Sequence, residues 1–200
     1  MPDILKSALT VFVMGGPGCG KGTQCKNVAT KYGFCHVGLG QPLPQEGQCS
    51  TQRGGETRDV MLQGLLLHRG RGKEEGIITD LISNTMLSCQ ESWAFLTDGF
   101  PWKLKQAKEL ERIVGRAPDL IMFDCSMDAM VCRVWHRGQK EHRVCDCESA
   151  LREGLETYDT LCEPVLTSYR QNNLLRNVDL GRSSSRRHFA QCCSVTERLQ

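Results

Sequence analysis

The sequence predicts an α/β fold in which helices flank a parallel sheet. Short apolar runs alternate with helix-compatible segments along the 200 residues, which is the order expected of a parallel sheet. The first apolar run leads directly into a glycine-rich loop and then into a helical segment. Five runs qualify as strands: Leu9–Met14, Cys35–Val37, Trp93–Thr97, Asp119–Phe123 and Leu174–Val178.

Helical patterns fill the gaps between these strands. The longest contains Pro164, which should kink or end the helix because proline lacks an N–H and clashes with the preceding turn. No internal repeat or linker divides the chain, so we expect a single domain over residues 1–200. The predicted helices are Thr23–Lys31, Thr57–Leu67, Ile77–Ser88, Lys103–Val114, Asp128–His136, Glu148–Tyr169 and Ser185–Leu199.

The composition limits the classes of function. A hydrophobic content of 40% suits one globular domain with a sizeable core. A net charge of +2 is too small to favour nucleic acid or an anionic membrane as the main partner. No apolar run approaches the length of a membrane span, and the N-terminus lacks a signal-peptide pattern. We therefore expect a cytoplasmic protein without a nucleic-acid or membrane partner.

Twelve cysteines are scattered along the chain without a C-x-x-C pair. Cys145 and Cys147 form the only pair that suggests zinc, and no second pair stands at zinc-ribbon spacing. Reduced thiols, several of them in the core, are the favoured interpretation over a zinc site. Cys19 differs because it lies in the glycine-rich loop beside Lys21 and a helix N-terminus, where a thiolate could be stabilised.

Residues 15–23 carry the strongest functional pattern, Gly-Gly-Pro-Gly-Cys-Gly-Lys-Gly-Thr. Gly15 and Gly20-Lys21 match the G-x-x-x-x-G-K core of a phosphate-binding loop, or P-loop. In such a loop backbone N–H groups turn towards a phosphate, the helix N-terminus adds positive potential, and the lysine supplies a mobile charge. A glycine turn without a ligand is the alternative, which the position of the lysine disfavours.

The end of the loop is distinctive, because Gly22 separates Lys21 from Thr23 where the usual P-loop has Ser or Thr directly after the lysine. The string resembles the loop of the adenylate kinase family of nucleoside monophosphate kinases, and looks closest to the short cytosolic animal type. The resemblance covers nearly the whole chain through four further stretches: Lys31–Phe34, Asp98–Pro101, Leu155–Tyr158 and Glu163–Val165.

The resemblance implies a P-loop fold with a five-stranded parallel sheet, a mobile acceptor-binding segment at residues 38–67 and a short lid at residues 137–146. It implies transfer of the terminal phosphoryl group of ATP to AMP, with Mg²⁺ as cofactor, by a monomer. The implied catalytic residues are Lys21, Arg137 and Arg143. The implied ATP-binding residues are Gly16, Gly18, Cys19, Gly20, Lys21, Gly22, Thr23, Arg133 and Arg137. The implied acceptor-binding residues are Gly40, Leu65, Leu66, Leu67, Gly99, Gln106 and Arg143.

Asp98 is the candidate metal residue. It follows an apolar strand at the carboxyl edge of the sheet, where open α/β folds bind ligands. A carboxylate there can anchor Mg²⁺ through water. The alternative is that Asp98 only forms the turn before Gly99.

The lid arginines also follow a pattern. Arg133 and Arg137 are four residues apart on one helical face, and the planar guanidinium suits phosphate oxygens. Surface ion pairs with Glu141 or Asp146 are the alternative.

The acceptor side departs from the family pattern. The threonine that contacts the acceptor base is replaced by Leu39, and the arginine that binds its phosphate by Pro44. Two further arginine positions hold Trp102 and Gly154, while Gln106 is retained. Because one such arginine can be worth about three to five powers of ten in rate, we expect impaired transfer.

Three functions remain open at this point: an impaired AMP kinase, a nucleotide-binding protein with weak or no catalysis, and a kinase for another acceptor such as a pyrimidine monophosphate. A basic insertion at residues 68–73, which contains Arg69 and Arg71, is interpreted as a solvated loop in preference to a phosphate-binding patch.

Overall fold

The computed structural model describes five ranges of the chain, and the longest stretch outside them is residues 39–74. The predicted helix Thr57–Leu67 and most of the acceptor-binding segment lie outside the described residues. The described ranges are residues 4–38, 75–89, 91–141, 148–180 and 185–199.

A five-stranded, all-parallel sheet in the order β2-β3-β1-β4-β5 confirms the predicted fold class. The strands are β1 (Leu9–Gly15), β2 (Cys35–Gly38), β3 (Ala94–Asp98), β4 (Asp119–Asp124) and β5 (Leu175–Asp179). The helices are α1 (Ile4–Ser7), α2 (Lys21–Tyr32), α3 (Glu75–Ser88), α4 (Leu104–Val114), α5 (Met127–Glu141), α6 (Glu148–Gln171) and α7 (Ser185–Glu197).

Strand β1 lies at the centre of the sheet and is buried on both faces. Phe12 and Met14 point into one core, which α3, α4 and α6 cover. Val11 and Val13 point into the other, which α2, α5 and α7 cover. Alternating side chains on a strand face opposite sides, so a continuous apolar run is what a sheet covered on both faces requires.

Of the two outcomes predicted for Pro164, a kink or the end of the helix, the end is excluded, because α6 continues through Pro164 to Gln171. The flanking Cys162, Val165 and Leu166 are buried in the first core. Their packing stabilises the helix on both sides of the missing N–H.

Helix α5 is also longer than predicted, since it ends at Glu141 and not at His136. Gln139, Lys140 and Glu141 are good helix formers, and they continue the helix past Gly138. The predicted lid, residues 137–146, therefore begins inside a helix. None of the helices in the described ranges has both the length and the apolar character needed to cross a bilayer.

Candidate nucleotide-binding site

The glycine-rich loop connects the end of β1 to the start of α2, as predicted. Gly18 and Gly20 have φ angles of +75° and +99°, in the region that favours glycine. A Cβ on Gly18 would lie 2.7 Å from both the Met130 carbonyl oxygen and Val134 Cγ2. Helix α5 therefore packs directly on the loop backbone, and only glycine fits at this contact.

Lys21 is the first residue of α2 and turns back over the loop. Its Nζ donates hydrogen bonds to the carbonyl oxygens of Gly15 at 2.6 Å and Gly16 at 3.0 Å. The side chain is half-buried, so its charge is held beside the loop and not in bulk water. A mobile ammonium at this place is the group that a P-loop aims at phosphate oxygens.

Cys19 is fully buried in the second core. Its backbone N–H donates to the Gly16 carbonyl oxygen at 3.3 Å, and its Sγ lies 3.8 Å from Lys21 Nζ. The structure therefore places the Cys19 side chain in the packing under the loop.

Asp98 ends β3 at the carboxyl edge of the sheet, in register with Val13 of β1 and Gly38 of β2. Its side chain is only 15% exposed, and Oδ2 lies 3.5 Å from Nε2 of His36. A Cβ built on Gly22 would lie 3.5 Å from the same oxygen, so the carboxylate borders the first turn of α2. The structure thus brings the candidate metal residue to the phosphate-binding loop.

Arg133 joins three parts of the site from its position on α5. Its Nη1 donates to the Cys19 carbonyl oxygen at 3.0 Å and to Cys125 Sγ at 3.4 Å. Its Nη2 donates to the Leu180 carbonyl oxygen at 3.0 Å. Burial raises the pKa of Cys125 although the guanidinium beside it acts in the opposite direction. The guanidinium is held against the backbone of the loop that we expect to bind ATP.

Two predicted acceptor residues lie in the described part of the chain. Gly99 follows Asp98 with a φ of +78°, and its N–H donates to the Val13 carbonyl oxygen at 3.1 Å. Gln106 is 2% exposed, and its Oε1 accepts hydrogen bonds from the backbone N–H groups of Trp102 at 3.0 Å and Lys103 at 3.1 Å. The carbonyl end of Gln106 thus caps α4, and the amide nitrogen is the end with which it could contact a base.

Thr23 is exposed in the first turn of α2, whereas the two lid arginines and four of the predicted acceptor residues cannot be placed in the site. Arg137 lies on α5, but its side chain is outside the described part of the structure, and Arg143 lies outside the described residues altogether. The other acceptor residues outside the described ranges are Gly40, Leu65, Leu66 and Leu67.

Two of the positions at which the family pattern has a phosphate-binding arginine, Trp102 and Gly154, lie in the described ranges. Trp102 packs its partly buried side chain against the first core. Gly154 lies within α6 and offers no side chain. An apolar ring packed on the core supplies no charge to a phosphate.

His36 and Cys25 lie beside Asp98, although the sequence pattern did not single them out. Burial is the main cause that raises the pKa of Cys25, and the Asp98 carboxylate adds to it, whereas Lys21 opposes it. The available signal was the predicted strand Cys35–Val37, which contains His36 and belongs to the strand that pairs with β3. Using that signal requires the strand order, which one sequence does not supply.

A P-loop between β1 and α2, with an aspartate at the end of the neighbouring strand, is typical of P-loop nucleotide-binding proteins. A family model described as adenylate kinase matches residues 13–174. Adenylate kinase isoenzyme 1 from Rattus norvegicus is 34% identical over 100% of both chains, and that from Homo sapiens is 32% identical over the same share. Adenylate kinase isoenzyme 5 from Mus musculus is 35% identical over 98% of this chain and 34% of its own length. The chain belongs to the adenylate kinase family and is a phosphotransferase of the nucleoside monophosphate kinase type.

Proposed function

We propose that the chain binds ATP at the P-loop and transfers its terminal phosphoryl group to AMP at a strongly reduced rate. The observation that carries the donor half is the position of Lys21, whose ammonium lies over Gly15 and Gly16 at the start of α2. In this proposal the ammonium moves from these carbonyl oxygens to the phosphates of ATP. The backbone N–H groups at the start of α2 add positive potential at the same place.

The residues at the loop also fit Mg²⁺. Asp98 presents a carboxylate to the first turn of α2, and Thr23 presents an exposed hydroxyl in that turn. Oxygen atoms are the ligands that Mg²⁺ prefers, and Mg²⁺ usually keeps several of its waters. We propose that Asp98 orients one of those waters. When bound, Mg²⁺ neutralises charge on the phosphate oxygens between donor and acceptor.

Helix α5 holds the P-loop in position. Its close contact with Gly18 and the hydrogen bond from Arg133 to Cys19 fix the loop before nucleotide arrives. Such preorganisation is the main contribution that a protein makes to phosphoryl transfer, since little covalent chemistry is required of it. We propose that Arg137 and Arg143 approach the phosphates from the lid.

The residues of the predicted acceptor site support the proposal of a reduced rate of transfer. Trp102 and Gly154 stand where arginines would bind phosphate, and Leu39 and Pro44 replace the corresponding threonine and arginine. The effects of residues that act as a unit are not additive, so three such losses do not multiply. We nevertheless expect transfer to AMP to fall by at least about a thousandfold, the lower end of the effect of one arginine.

The second candidate is a nucleotide-binding protein without useful catalysis. The contrast between the two halves of the site favours it. A protein with a complete donor loop that lacks the acceptor-side arginines would still bind ATP but would not transfer its phosphoryl group. Either function suits a cytoplasmic monomer, and the free, largely buried cysteines among the described residues suit a reducing compartment.

Two measurements on the same protein separate these candidates: a coupled assay for ADP formation from ATP with each nucleoside monophosphate, and a calorimetric titration with ATP. A slow but Lys21-dependent rate supports the enzyme, whereas ATP binding without any such rate supports the binding protein. A pyrimidine monophosphate as the best acceptor would replace AMP in the proposal.

A further inference from the structure

Three side chains from separate elements converge beside the phosphate-binding loop. Cys25 lies on α2, His36 on β2 and Asp98 at the end of β3. One ligand atom from each, a sulfur, an imidazole nitrogen and a carboxylate oxygen, lies within 4.8 Å of the other two. We call this set the Cys-His-Asp cluster.

The cluster contains a polar atom that the described residues do not satisfy. Nε2 of His36 is buried and has no hydrogen-bond partner in the described part of the chain, and its nearest charged neighbour there, Asp98 Oδ2, lies 3.5 Å away. A buried nitrogen without a partner costs free energy, so it is a feature that calls for an explanation. Gly38 leaves space for the imidazole, since a Cβ there would lie only 3.3 Å from the same nitrogen.

We propose that the Cys-His-Asp cluster binds a divalent transition metal of the zinc type, with three protein ligands and a fourth position open to water. Thiolate, imidazole and carboxylate are the ligands that Zn²⁺ takes in tetrahedral sites. Mg²⁺ takes oxygen ligands, so the sulfur and the nitrogen distinguish this site from the proposed magnesium site at Asp98. On binding, Cys25 loses its thiol proton to solvent and its sulfur bonds to the metal.

The geometry is close to that of a bound site. Zinc–ligand distances imply separations of about 3.3–3.8 Å between the ligand atoms of a tetrahedral site. The His36–Asp98 separation of 3.5 Å already falls in this range, and the 4.8 Å limit means that the sulfur has to approach by no more than about 1.5 Å. The imidazole and carboxylate side chains are 18% and 15% exposed, so two of the three ligand side chains reach the surface.

The proposal concerns metal binding and holds whether or not the chain transfers phosphate. A consequence that does rest on the proposed function is competition, because a metal on Asp98 removes that carboxylate from the waters of Mg²⁺. Zinc would then inhibit transfer, and excess Mg²⁺-ATP would relieve the inhibition.

Cobalt is the probe for the test, because thiolate-bound Co²⁺ has an absorption band in the near ultraviolet that Zn²⁺ lacks. The full-length, reduced protein is titrated with Co²⁺ and then with Zn²⁺. The same titration is made on Cys25→Ser and on the control Cys132→Ser, since Cys132 is an exposed thiol on α5. The control keeps the other cysteines and reports their background binding.

We expect wild type and Cys132→Ser to show a thiolate–cobalt band that one equivalent of Zn²⁺ removes, and Cys25→Ser to lack it. His36→Gln should weaken the affinity at least about tenfold, and it serves as the second variant if Cys25→Ser does not fold. The same band in Cys25→Ser as in wild type, an unchanged affinity in His36→Gln, or no band in wild type would each overturn the proposal.

Discussion

Nζ of Lys21 lies 2.6 Å from the carbonyl oxygen of Gly15, the residue that ends the central strand and opens the phosphate-binding loop. The contact joins the first residue of α2 to the last residue of β1 across the loop between them. It places the lysine charge over the strand end, where phosphates are bound in proteins with this loop. Phosphate binding would exchange the contacts with carbonyl oxygens for contacts with phosphate oxygens.

The first prediction is that ATP binding depends on this ammonium. Replacing Lys21 with Ala should lower ATP affinity at least about tenfold, because hydrogen bonds to charged groups contribute about 1.5–3 kcal/mol. Calorimetry with Mg²⁺-ATP measures the change. Lys26→Ala is the control, since Lys26 is an exposed residue of the same helix and its loss should leave the affinity unchanged. Equal affinities in wild type and Lys21→Ala would contradict the donor site.

The second prediction concerns the lid. If Arg137 contacts phosphate, Arg137→Ala should weaken ATP binding by more than about 1 kcal/mol, the upper end of a surface ion pair. The wild-type affinity should fall as salt rises, and the fall should be smaller in the variant. Arg170→Ala is the control, because the Arg170 side chain is 60% exposed and lies 3.9 Å from Glu163. An Arg137→Ala protein with wild-type affinity at every salt concentration would favour the solvated-face alternative.

The third prediction tests the contact between helix α5 and the loop. Gly18 and Gly20 both have positive φ, but a Cβ on Gly18 would meet neighbouring atoms, whereas no atom of the described residues lies within 4 Å of one on Gly20. Gly20→Ala should cost about 1–2 kcal/mol of stability through backbone strain. Gly18→Ala should cost about 1–3 kcal/mol more, because the added methyl group collides with α5. Urea unfolding of the two variants checks the difference, and equal losses would mean that the close packing does not exist in solution.

Local sequence patterns predicted the sheet and the loop well. They could not predict contacts between residues that are distant along the chain. Strand β1 and its loop were predictable because the apolar run and the glycine spacing lie within 15 residues of one another. The bond from Arg133 to Leu180 joins groups 47 residues apart, whose contact depends on tertiary packing. The Cys-His-Asp cluster depends on β2 lying beside β3, which the chain order does not reveal.

Helix ends show a different limit of sequence interpretation. Pro164 and Gly138 are helix-breaking residues in isolation, yet α6 and α5 run through them. Burial of neighbouring side chains outweighs the local cost at Pro164, and burial is a property of the whole fold. The pattern of lost arginines, in contrast, was visible from the sequence because it requires only an aligned family motif.

The central claim is that the donor half is intact and the acceptor half eroded, and one rate measurement tests it most directly. The steady-state production of ADP from ATP and AMP is compared between wild type and a variant that carries Leu39→Thr, Pro44→Arg, Trp102→Arg and Gly154→Arg. The same variant with Lys21→Ala is the control, because it should abolish any rate that comes from this protein and not from a contaminating kinase.

We expect a wild-type rate at least about a thousandfold below that of a family member with all three arginines, together with tight ATP and weak AMP binding. The restored variant should recover a large part of the rate, and Lys21→Ala should remove it. Ordinary kinase turnover in the wild type would contradict the account, and would mean that other residues, such as Arg69 and Arg71, bind the acceptor phosphate.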